Sequence, residues 1–110
     1  MEYTPHMLSV TDKTFKEVLL APLAVVDFWS PECPSCMKFK PVIEEAARGY
    51  RDTVLIVGAQ VDHNDITADA YRVEGLPTTI FMRDGAEVFR YAGAMTKREL
   101  SDRIREYLGV

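Results

Sequence analysis

The chain has 110 residues, of which 47% are hydrophobic and 27% charged, values typical of one folded domain spanning residues 1–110. Its formal net charge of -4 disfavours a nucleic-acid-binding surface, since such surfaces concentrate lysine and arginine. No apolar run approaches the ~18–20 residues of a membrane span, and the N-terminal stretch MEYTPHMLSV lacks a signal-peptide core. We therefore expect a cytoplasmic protein that binds neither nucleic acid nor a membrane.

The hydrophobic pattern of the first 30 residues predicts strand, helix and strand. Residues 7–10 can form a short strand, after which Thr11 or Asp12 can cap a helix that ends before Pro22. The buried side of this helix is predicted to carry Phe15, Val18 and Leu19. The run LAVVDFW, residues 23–29, is apolar on both faces, as expected for the covered centre of a sheet.

A longer amphipathic helix is predicted after the second strand. Apolar residues at intervals of three and four form one buried stripe, which consists of Phe39, Val42, Ile43, Ala46, Ala47 and Tyr50. Pro41 lies within this pattern, so the helix should kink there. Polar residues 51–53 then break the pattern, the run VLIVGAQVD (54–62) predicts a strand, and residues 66–72 predict a shorter helix.

The last third of the chain predicts a hairpin followed by a helix. The β-rich runs 78–83 and 87–92 flank Asp84-Gly85, a strong hairpin signal. Residues 96–99 form a capping box that opens a last helix, with an inward side made of Leu100, Ile104, Tyr107 and Leu108. The order β-α-β-α-β-α-β-β-α predicts an α/β fold with a central mixed sheet flanked by helices on both faces.

The two cysteines, Cys33 and Cys36, lie where a central strand ends and a helix begins. A helix N-terminus stabilises an anion, so it favours the thiolate, which is the nucleophilic form. The i, i+3 spacing lets one sulfur resolve a mixed disulfide formed at the other. Cys33, at the outer end, is the better candidate for attack and Cys36 for resolution. Pro34 suits the first helical turn because it has no N–H to leave unpaired.

Other interpretations of these residues remain open at this level. The C-x-x-C pair could be half of a zinc site, although tetrahedral zinc needs about four ligands and only His6 and His63 remain as strong candidates. Alternatively, the cysteines could be inert and buried. Lys38 and Lys40 could form a local basic spot, but a solvated helix face is the favoured interpretation for both.

A strand ending in D-F-W, then C-x-x-C-x-x-x-x-P, then G-x-P-T some forty residues on and a D-G hairpin, is a specific combination. It resembles the thioredoxin family, and the resemblance extends from about residue 7 to residue 108. It implies a thioredoxin fold and a thiol–disulfide oxidoreductase in which Cys33 is the nucleophile and Cys36 the resolving thiol. It also implies a cis peptide bond before Pro77, facing the cysteines.

The resemblance gives Asp27 a role as well. Its apolar neighbours in the strand predict burial, which raises the pKa of a carboxyl and favours its neutral form. In the family the matching carboxylate lies behind the second cysteine and helps to move its proton. The alternative is a carboxylate at a strand edge that is paired with a lysine.

A substrate-docking surface is also implied by the resemblance. The backbone of Leu76 would be free to pair with an extended substrate segment. The residues expected on or around this surface are Trp29, Pro34, Pro77, Gly93 and Met95. For Trp29 and Met95, packing in the core is the alternative.

The chain departs from the family pattern at three places. Glu32 replaces an aromatic residue beside the nucleophile, and its charge should oppose thiolate formation, unless it is only a solvated carboxylate at the rim. Pro34 and Ser35 replace Gly-Pro between the cysteines, which puts the reduction potential in doubt, since about 30 mV corresponds to roughly 1.4 kcal/mol. Gly58 stands where thioredoxins commonly carry a lysine beside the aspartate, so Asp27 should be still more inclined to stay protonated.

The function expected from the resemblance is reduction of protein disulfides by a monomer that needs no cofactor or metal beyond its own cysteine pair. Electrons would come from a flavin-dependent disulfide reductase or a small dithiol, and no phosphate-binding glycine loop is present in the sequence. Two alternatives come from other classes of protein. One is a redox-inactive binding module with this fold, and the other is metal binding between two chains through their C-x-x-C thiolates.

Overall fold

The computed structural model describes residues 7–110. Its five-stranded sheet consists of β1 (Leu8–Ser9), β2 (Leu23–Trp29), β3 (Leu55–Gln60), β4 (Thr78–Arg83) and β5 (Ala86–Ala92). The α-helices are α1 (Lys16–Leu20), α2 (Pro34–Gly49), α3 (Asp65–Ala70) and α4 (Lys97–Leu108), and a 3-10 turn spans Val61–His63. Apart from that turn, the element order is the predicted one.

The sheet is mixed, with the strand order β1-β3-β2-β4-β5. Strands β1, β3 and β2 are parallel, whereas β4 runs antiparallel to both β2 and β5. Parallel neighbours need crossover helices between them, and the antiparallel pair β4–β5 needs only a tight turn. The predicted α/β architecture is therefore confirmed, with β2 at the centre of the sheet.

A separate hydrophobic core covers each face of the sheet. Successive strand residues point to opposite faces, so Val25 lies in the core beneath α2 and α4, and Val26 lies in the core on the side of α1 and α3. By the same alternation Asp27 and Trp29 share the face of Val25. The long helix α2 therefore covers the face that carries Asp27.

The start of α1 differs from the prediction. The helix begins at Lys16 without a side-chain cap, after turns over residues 11–15, and Leu19 is 42% exposed rather than buried. Asp12 contacts the beginning of α3 instead, where its carboxylate accepts hydrogen bonds from the backbone N–H of Thr67 at 2.8 Å and of Ile66 at 3.2 Å. The hydrogen bonds from Thr67 lower the pKa of Asp12. A long-range contact thus replaces the predicted local cap.

Two other helices agree closely with the sequence pattern. Helix α2 continues through Pro41, which removes one backbone donor from the solvent-exposed side, and the bend at this residue stays a prediction. The capping box at the start of α4 is confirmed, with reciprocal hydrogen bonds of 2.9 and 3.1 Å between Thr96 and Glu99. Tyr107 of α4 is only partly buried and stacks on Phe89, with ring centroids 4.1 Å apart. No helix among residues 7–110 is both long and apolar enough to traverse a lipid bilayer.

The β4–β5 turn requires left-handed backbone at two positions. Asp84 and Gly85 have φ values of 52° and 81°, as a type I′ hairpin turn demands. A Cβ at Gly85 would lie 2.9 Å from the carbonyl oxygen of Leu19. Glycine is therefore required here both by the backbone conformation and by the close approach of α1.

We expect Gly85→Ala to lower the free energy of unfolding by about 1–3 kcal/mol, because alanine disfavours the positive φ and its Cβ would meet the Leu19 carbonyl. Urea denaturation measures this difference. Gly49→Ala is the matched control, since a Cβ at Gly49 would contact nothing within 4 Å. Because alanine is the better helix former, the control should be neutral or stabilising by up to about 1 kcal/mol. Equal losses in the two variants would contradict this account.

Candidate active site at the disulfide

Four strands have a terminus at the same end of the sheet. Trp29, the last residue of β2, is the register partner of Gln60, the last residue of β3. Because β4 is antiparallel, it begins at this same end of the sheet. The backbone N–H of Gly93, which follows β5, donates to the carbonyl of Pro77 at 2.8 Å. The loop that follows Trp29, which carries the cysteines, therefore starts beside Pro77 and Gly93.

Cys33 and Cys36 form a disulfide, with their Cα atoms 5.2 Å apart. Cys33 is the N-cap of α2, and its sulfur accepts a hydrogen bond from the backbone N–H of Cys36 at 3.1 Å. Pro34 is the first helical residue and is exposed, as the sequence predicted. Cys36 is 1% exposed, whereas Cys33 is half-buried. The helix N-terminus thus presents one accessible sulfur and conceals the other.

The residues around Cys33 add polar groups to the site. The hydroxyl of Ser35 lies 3.5 Å from the Cys33 sulfur. In this pair the hydroxyl is the donor, because a disulfide sulfur carries no proton. The hydroxyl of Ser30 donates to the carboxylate of Glu32 at 2.8 Å. Glu32 is therefore held by a neighbour while remaining exposed to solvent.

Asp27 is the buried acid of the site, with 1% of its surface exposed. Burial raises the pKa of Asp27 to about 7, and the positive charge of Lys40 opposes that rise. Asp27 lies on the central strand rather than at a strand edge, and none of the salt bridges among the described residues includes it, although the charge of Lys40 acts on it. A carboxyl with a pKa near neutrality can both take up and release a proton at physiological pH.

Asp27 has one register partner on each neighbouring strand, Gly58 on β3 and Thr79 on β4. A Cβ at Gly58 would lie 3.2 Å from Nε1 of Trp29 and 3.0 Å from the end of the Met7 side chain. The end of the Met7 side chain and the indole of Trp29 therefore both pack into the space that Gly58 leaves. One oxygen of Asp27 and the Thr79 hydroxyl are buried and have no hydrogen-bond partner among the described residues.

The peptide bond between Leu76 and Pro77 is cis, as predicted. Neither backbone group of Leu76 has a hydrogen-bond partner in the described part of the chain, and the residue is half-buried. Met95 is 3% exposed and packs in the core below α2 and α4, so its predicted place on the rim of the docking surface is wrong. Pro77 is also buried, so its ring lies beneath the rim, and its part in substrate binding stays a prediction.

Comparison with known proteins adds to this geometry. The family model described as Thioredoxin matches residues 6–106. The chain belongs to the thioredoxin family. It is 38% identical to Thioredoxin 1 of Synechococcus elongatus, over 91% of this chain and 95% of that protein. It is 36% identical to Thioredoxin of Synechocystis sp., over 98% and 100%, and 35% identical to Thioredoxin 2 of Chlorobaculum tepidum, over 90% and 93%.

Family membership and the C-x-x-C disulfide together make this protein a protein-disulfide oxidoreductase. Thioredoxins carry out this chemistry with a redox-active disulfide, and the family in general implies disulfide-containing proteins as substrates and a reductase as electron donor. The alternatives of an inactive binding module and an inter-chain metal site are not favoured. Within residues 7–110 no group of three or more His, Cys, Asp or Glu residues could hold a metal ion, and His6 lies outside that range.

The thioredoxin pattern did not reveal every residue near the aspartate. Lys38 is exposed, as the favoured interpretation held, whereas the side chain of Lys40 is 30% exposed and only partly solvated. The ammonium of Lys40 lies 3.9 Å from the centroid of the Trp29 ring and acts on Asp27. A cation therefore does act on the aspartate, although position 58 is glycine. The i, i+4 spacing from Cys36 was the signal in the sequence that could have identified Lys40.

We expect Asp27→Asn to stabilise the oxidised protein at pH 8 by up to about 4 kcal/mol, since about 3 pKa units separate the native and unfolded carboxyl. Between pH 4 and 7 the native state binds more protons than the unfolded state, so the free energy of unfolding of the wild type falls as the pH rises. The stabilisation by Asn should therefore vanish near pH 4. Denaturant titrations at several pH values measure it.

Asp12→Asn is the control of opposite sign for that experiment. The native pKa of Asp12 is lowered, so its charged form contributes stability that is present at neutral pH and lost in acid. The Asn variant should therefore be less stable than the wild type at pH 7 and similar to it in acid. An Asp27→Asn effect that does not depend on pH would contradict the burial argument.

Ser35→Ala should slow the alkylation of reduced Cys33 by iodoacetamide at pH 6 to 7 by about threefold to tenfold, because the thiolate loses a hydroxyl donor. The pH dependence of the alkylation rate is the measurement. Ser101→Ala, on α4, is the matched control and should leave the rate unchanged. If both variants react at the wild-type rate across the pH range, the Ser35 hydroxyl does not stabilise the thiolate.

Proposed function

We propose that this thioredoxin-family protein works as a reductant of disulfides in other proteins, with Cys33 as the attacking sulfur and Cys36 as the resolving sulfur. The Cys33 thiolate attacks one sulfur of the substrate disulfide, forms a mixed disulfide and releases the first substrate thiolate. The Cys36 thiolate then attacks Cys33, releases the second substrate thiolate and closes the Cys33–Cys36 disulfide. Two electrons pass to the substrate, whose thiolates take up two protons.

The difference in accessibility between the two sulfurs is the observation that carries this proposal. Cys33 is half-buried at the tip of α2, whereas Cys36 is 1% exposed one turn further in. A bulky protein disulfide can approach the first sulfur and not the second. The hydrogen bonds that reach Cys33 from the Cys36 N–H and from Ser35 also favour a negative charge on the Cys33 sulfur.

Asp27 is the proposed proton acceptor and donor for Cys36. The resolving step requires a thiolate, so the proton of the buried Cys36 thiol has to move to a nearby base. Asp27 lies on the face of the sheet that α2 covers, and its pKa near 7 matches this task at physiological pH. We propose that the charged carboxyl takes this proton and returns it to solvent after the disulfide has closed.

Substrate binding is proposed at the surface around the disulfide. An extended substrate segment would pair with the backbone groups of Leu76, which have no hydrogen-bond partner among the described residues. The residues proposed to contact it are Trp29, Pro34 and Gly93, all of them at least partly accessible. Glu32 and Ser35 would adjust specificity and reduction potential, since Glu32 disfavours acidic segments near Cys33.

The proposal includes the cellular setting of the protein. A flavin-dependent disulfide reductase or a small dithiol would return electrons to the Cys33–Cys36 disulfide, and no further cofactor takes part. Because a reductant operates where thiols are kept reduced, we propose a cytoplasmic location. We also propose that residues 1–110 act as one domain and as a monomer, since the reaction needs a single cysteine pair.

Cys36→Ser should trap substrates as stable mixed disulfides on Cys33, because the resolving sulfur is missing. Non-reducing electrophoresis and mass spectrometry of trapped complexes measure this, with a purified disulfide protein such as insulin as the probe. Cys33→Ser is the matched control and should trap nothing. Capture through Cys36 in the Cys33→Ser variant would reverse the assignment of the two roles.

Wild-type protein should also accelerate the reduction of insulin by dithiothreitol, and Cys33→Ser should abolish the acceleration. Equal rates with wild type and variant would contradict the oxidoreductase function in this direction. The reaction is followed by the turbidity of the released insulin chain.

A further inference from the structure

Arg90 connects the β4–β5 hairpin to the end of helix α3. Its register partner on β4 is Ile80, which lies in the core on the side of α1 and α3, so Arg90 is on that face of the sheet. Its guanidinium donates to both carboxylate oxygens of Glu87, at 2.6 and 2.8 Å, and to the backbone carbonyl of Tyr71 at 2.8 Å. Because the donors of a guanidinium have a fixed planar geometry, the paired bonds to Glu87 orient Arg90 toward the end of α3.

The end of α3 has a backbone conformation that depends on its surroundings. The N–H of Arg72 donates to the carbonyl of Asp69 at 3.0 Å, and the N–H of Val73 donates to the carbonyl of Ala68 at 2.9 Å. These bonds form a Schellman motif, in which the residue after the helix cap is usually glycine. Arg72 occupies that position with a φ of 56°, a left-handed conformation that side chains disfavour. Such a residue persists where surrounding contacts hold it, and the carbonyl that precedes it accepts from Arg90.

The segment that joins α3 to β4, residues 71–77, is held at both ends. At its start, the hydrogen bond from Arg90 fixes the first carbonyl. Near its end, the hydroxyl of Thr78 donates to the carbonyl of Gly75 at 2.6 Å. Between these points the backbone groups of Leu76 have no hydrogen-bond partner among the described residues. The position of the Leu76 backbone therefore depends on the bonds at the two ends of the segment.

We propose that Arg90 is a positioning residue for substrate binding: by fixing the end of α3 to the hairpin, it places the backbone of Leu76 where an extended substrate segment can pair with it. The proposal rests on the role of Leu76 in the proposed function and adds the side chain that holds it in position. The hydrogen bonds of Arg90 go to Glu87 and Tyr71 rather than to either cysteine. Arg90 therefore acts on the binding of peptide substrates and not on the chemistry of the sulfurs.

Arg90→Met tests the proposal, because methionine keeps an unbranched side chain and removes all three hydrogen bonds. In the reduction of insulin by dithiothreitol, we expect the KM for insulin to rise by about threefold to tenfold, with kcat within about twofold of the wild-type value. The rate at which the reduced protein reacts with bis(2-hydroxyethyl) disulfide, which has no peptide groups, should not change. Arg90→Lys keeps the charge without the planar donors, so its KM should lie between those of the wild type and Arg90→Met.

Arg103→Met is the matched control. The side chains of Arg90 and Arg103 are both 36% exposed, and each forms an ion pair with a glutamate three residues away. Arg103 lies on α4, however, which packs on the other face of the sheet. Its insulin KM should equal that of the wild type. An unchanged KM in Arg90→Met, the same rise in both variants, or equal losses with insulin and with the small disulfide would overturn the proposal.

Hydrogen exchange distinguishes this proposal from the proposed function, because it does not depend on activity. The N–H of Val73 is hydrogen-bonded, and Arg90→Met should speed its exchange by about tenfold or more relative to amides of β2, since the end of α3 loses its anchor. Unchanged exchange would overturn the proposal. Faster exchange with an unchanged insulin KM would also overturn it, because Arg90 would then order the segment without serving the substrate.

A wild-type protein that does not accelerate insulin reduction would refute the proposed function, and the exchange of Val73 would still decide whether Arg90 holds the segment. Thermal unfolding of each variant identifies any change that comes from lost structure. Glu87→Ala is the second variant if Arg90→Met does not fold. It leaves the guanidinium without the carboxylate that orients it, so the insulin KM should rise in the same direction by a smaller amount.

Discussion

Strand β2 pairs with β3 on one side and with β4 on the other, and the position of every residue at the site follows from this pairing. The parallel neighbour ends where β2 ends, and the antiparallel neighbour begins there. The loops around Cys33, Pro77 and Gly93, which are distant in sequence, therefore meet at one end of the sheet. The same pairing places Asp27 between β3 and β4, where burial raises its pKa and the charge of Lys40 on α2 opposes that rise.

Helix α2 combines three physical effects that are separate in many proteins. Its N-terminus offers a backbone N–H to the Cys33 sulfur, its apolar stripe fills the core beneath the sheet, and its second turn carries Lys40 over Trp29. The two sulfurs, the buried acid and its cation are thus fixed relative to one rigid element. A change in the packing of α2 would alter nucleophile, acid and cation together, so the chemistry of the site depends on the same contacts as the stability of the fold.

Features with a local physical cause could be predicted from the sequence. The type I′ turn needs only Asp84-Gly85, the capping box needs only Thr96 and Glu99, and a central strand explains the burial of Asp27. Features that depend on distant parts of the chain were missed. Asp12 binds the start of α3 more than 50 residues away, Met95 turns into the core, and the ammonium of Lys40 lies over the ring of Trp29. A pattern along one helix carries no information about what covers it.

The outer strands of the sheet, β1 and β5, have features that hinder pairing with strands of other chains. Strand β1 has only two residues, and β5 carries an irregularity at Val88 together with the ion pair of Glu87 and Arg90. Short edges, bulges and charges are the means by which natural β-sheets resist edge-to-edge aggregation. Leu76, whose backbone groups are unpaired within the described residues, precedes β4, an inner strand of the sheet. The fold thereby discourages unselective pairing of its outer strands with strands of other chains.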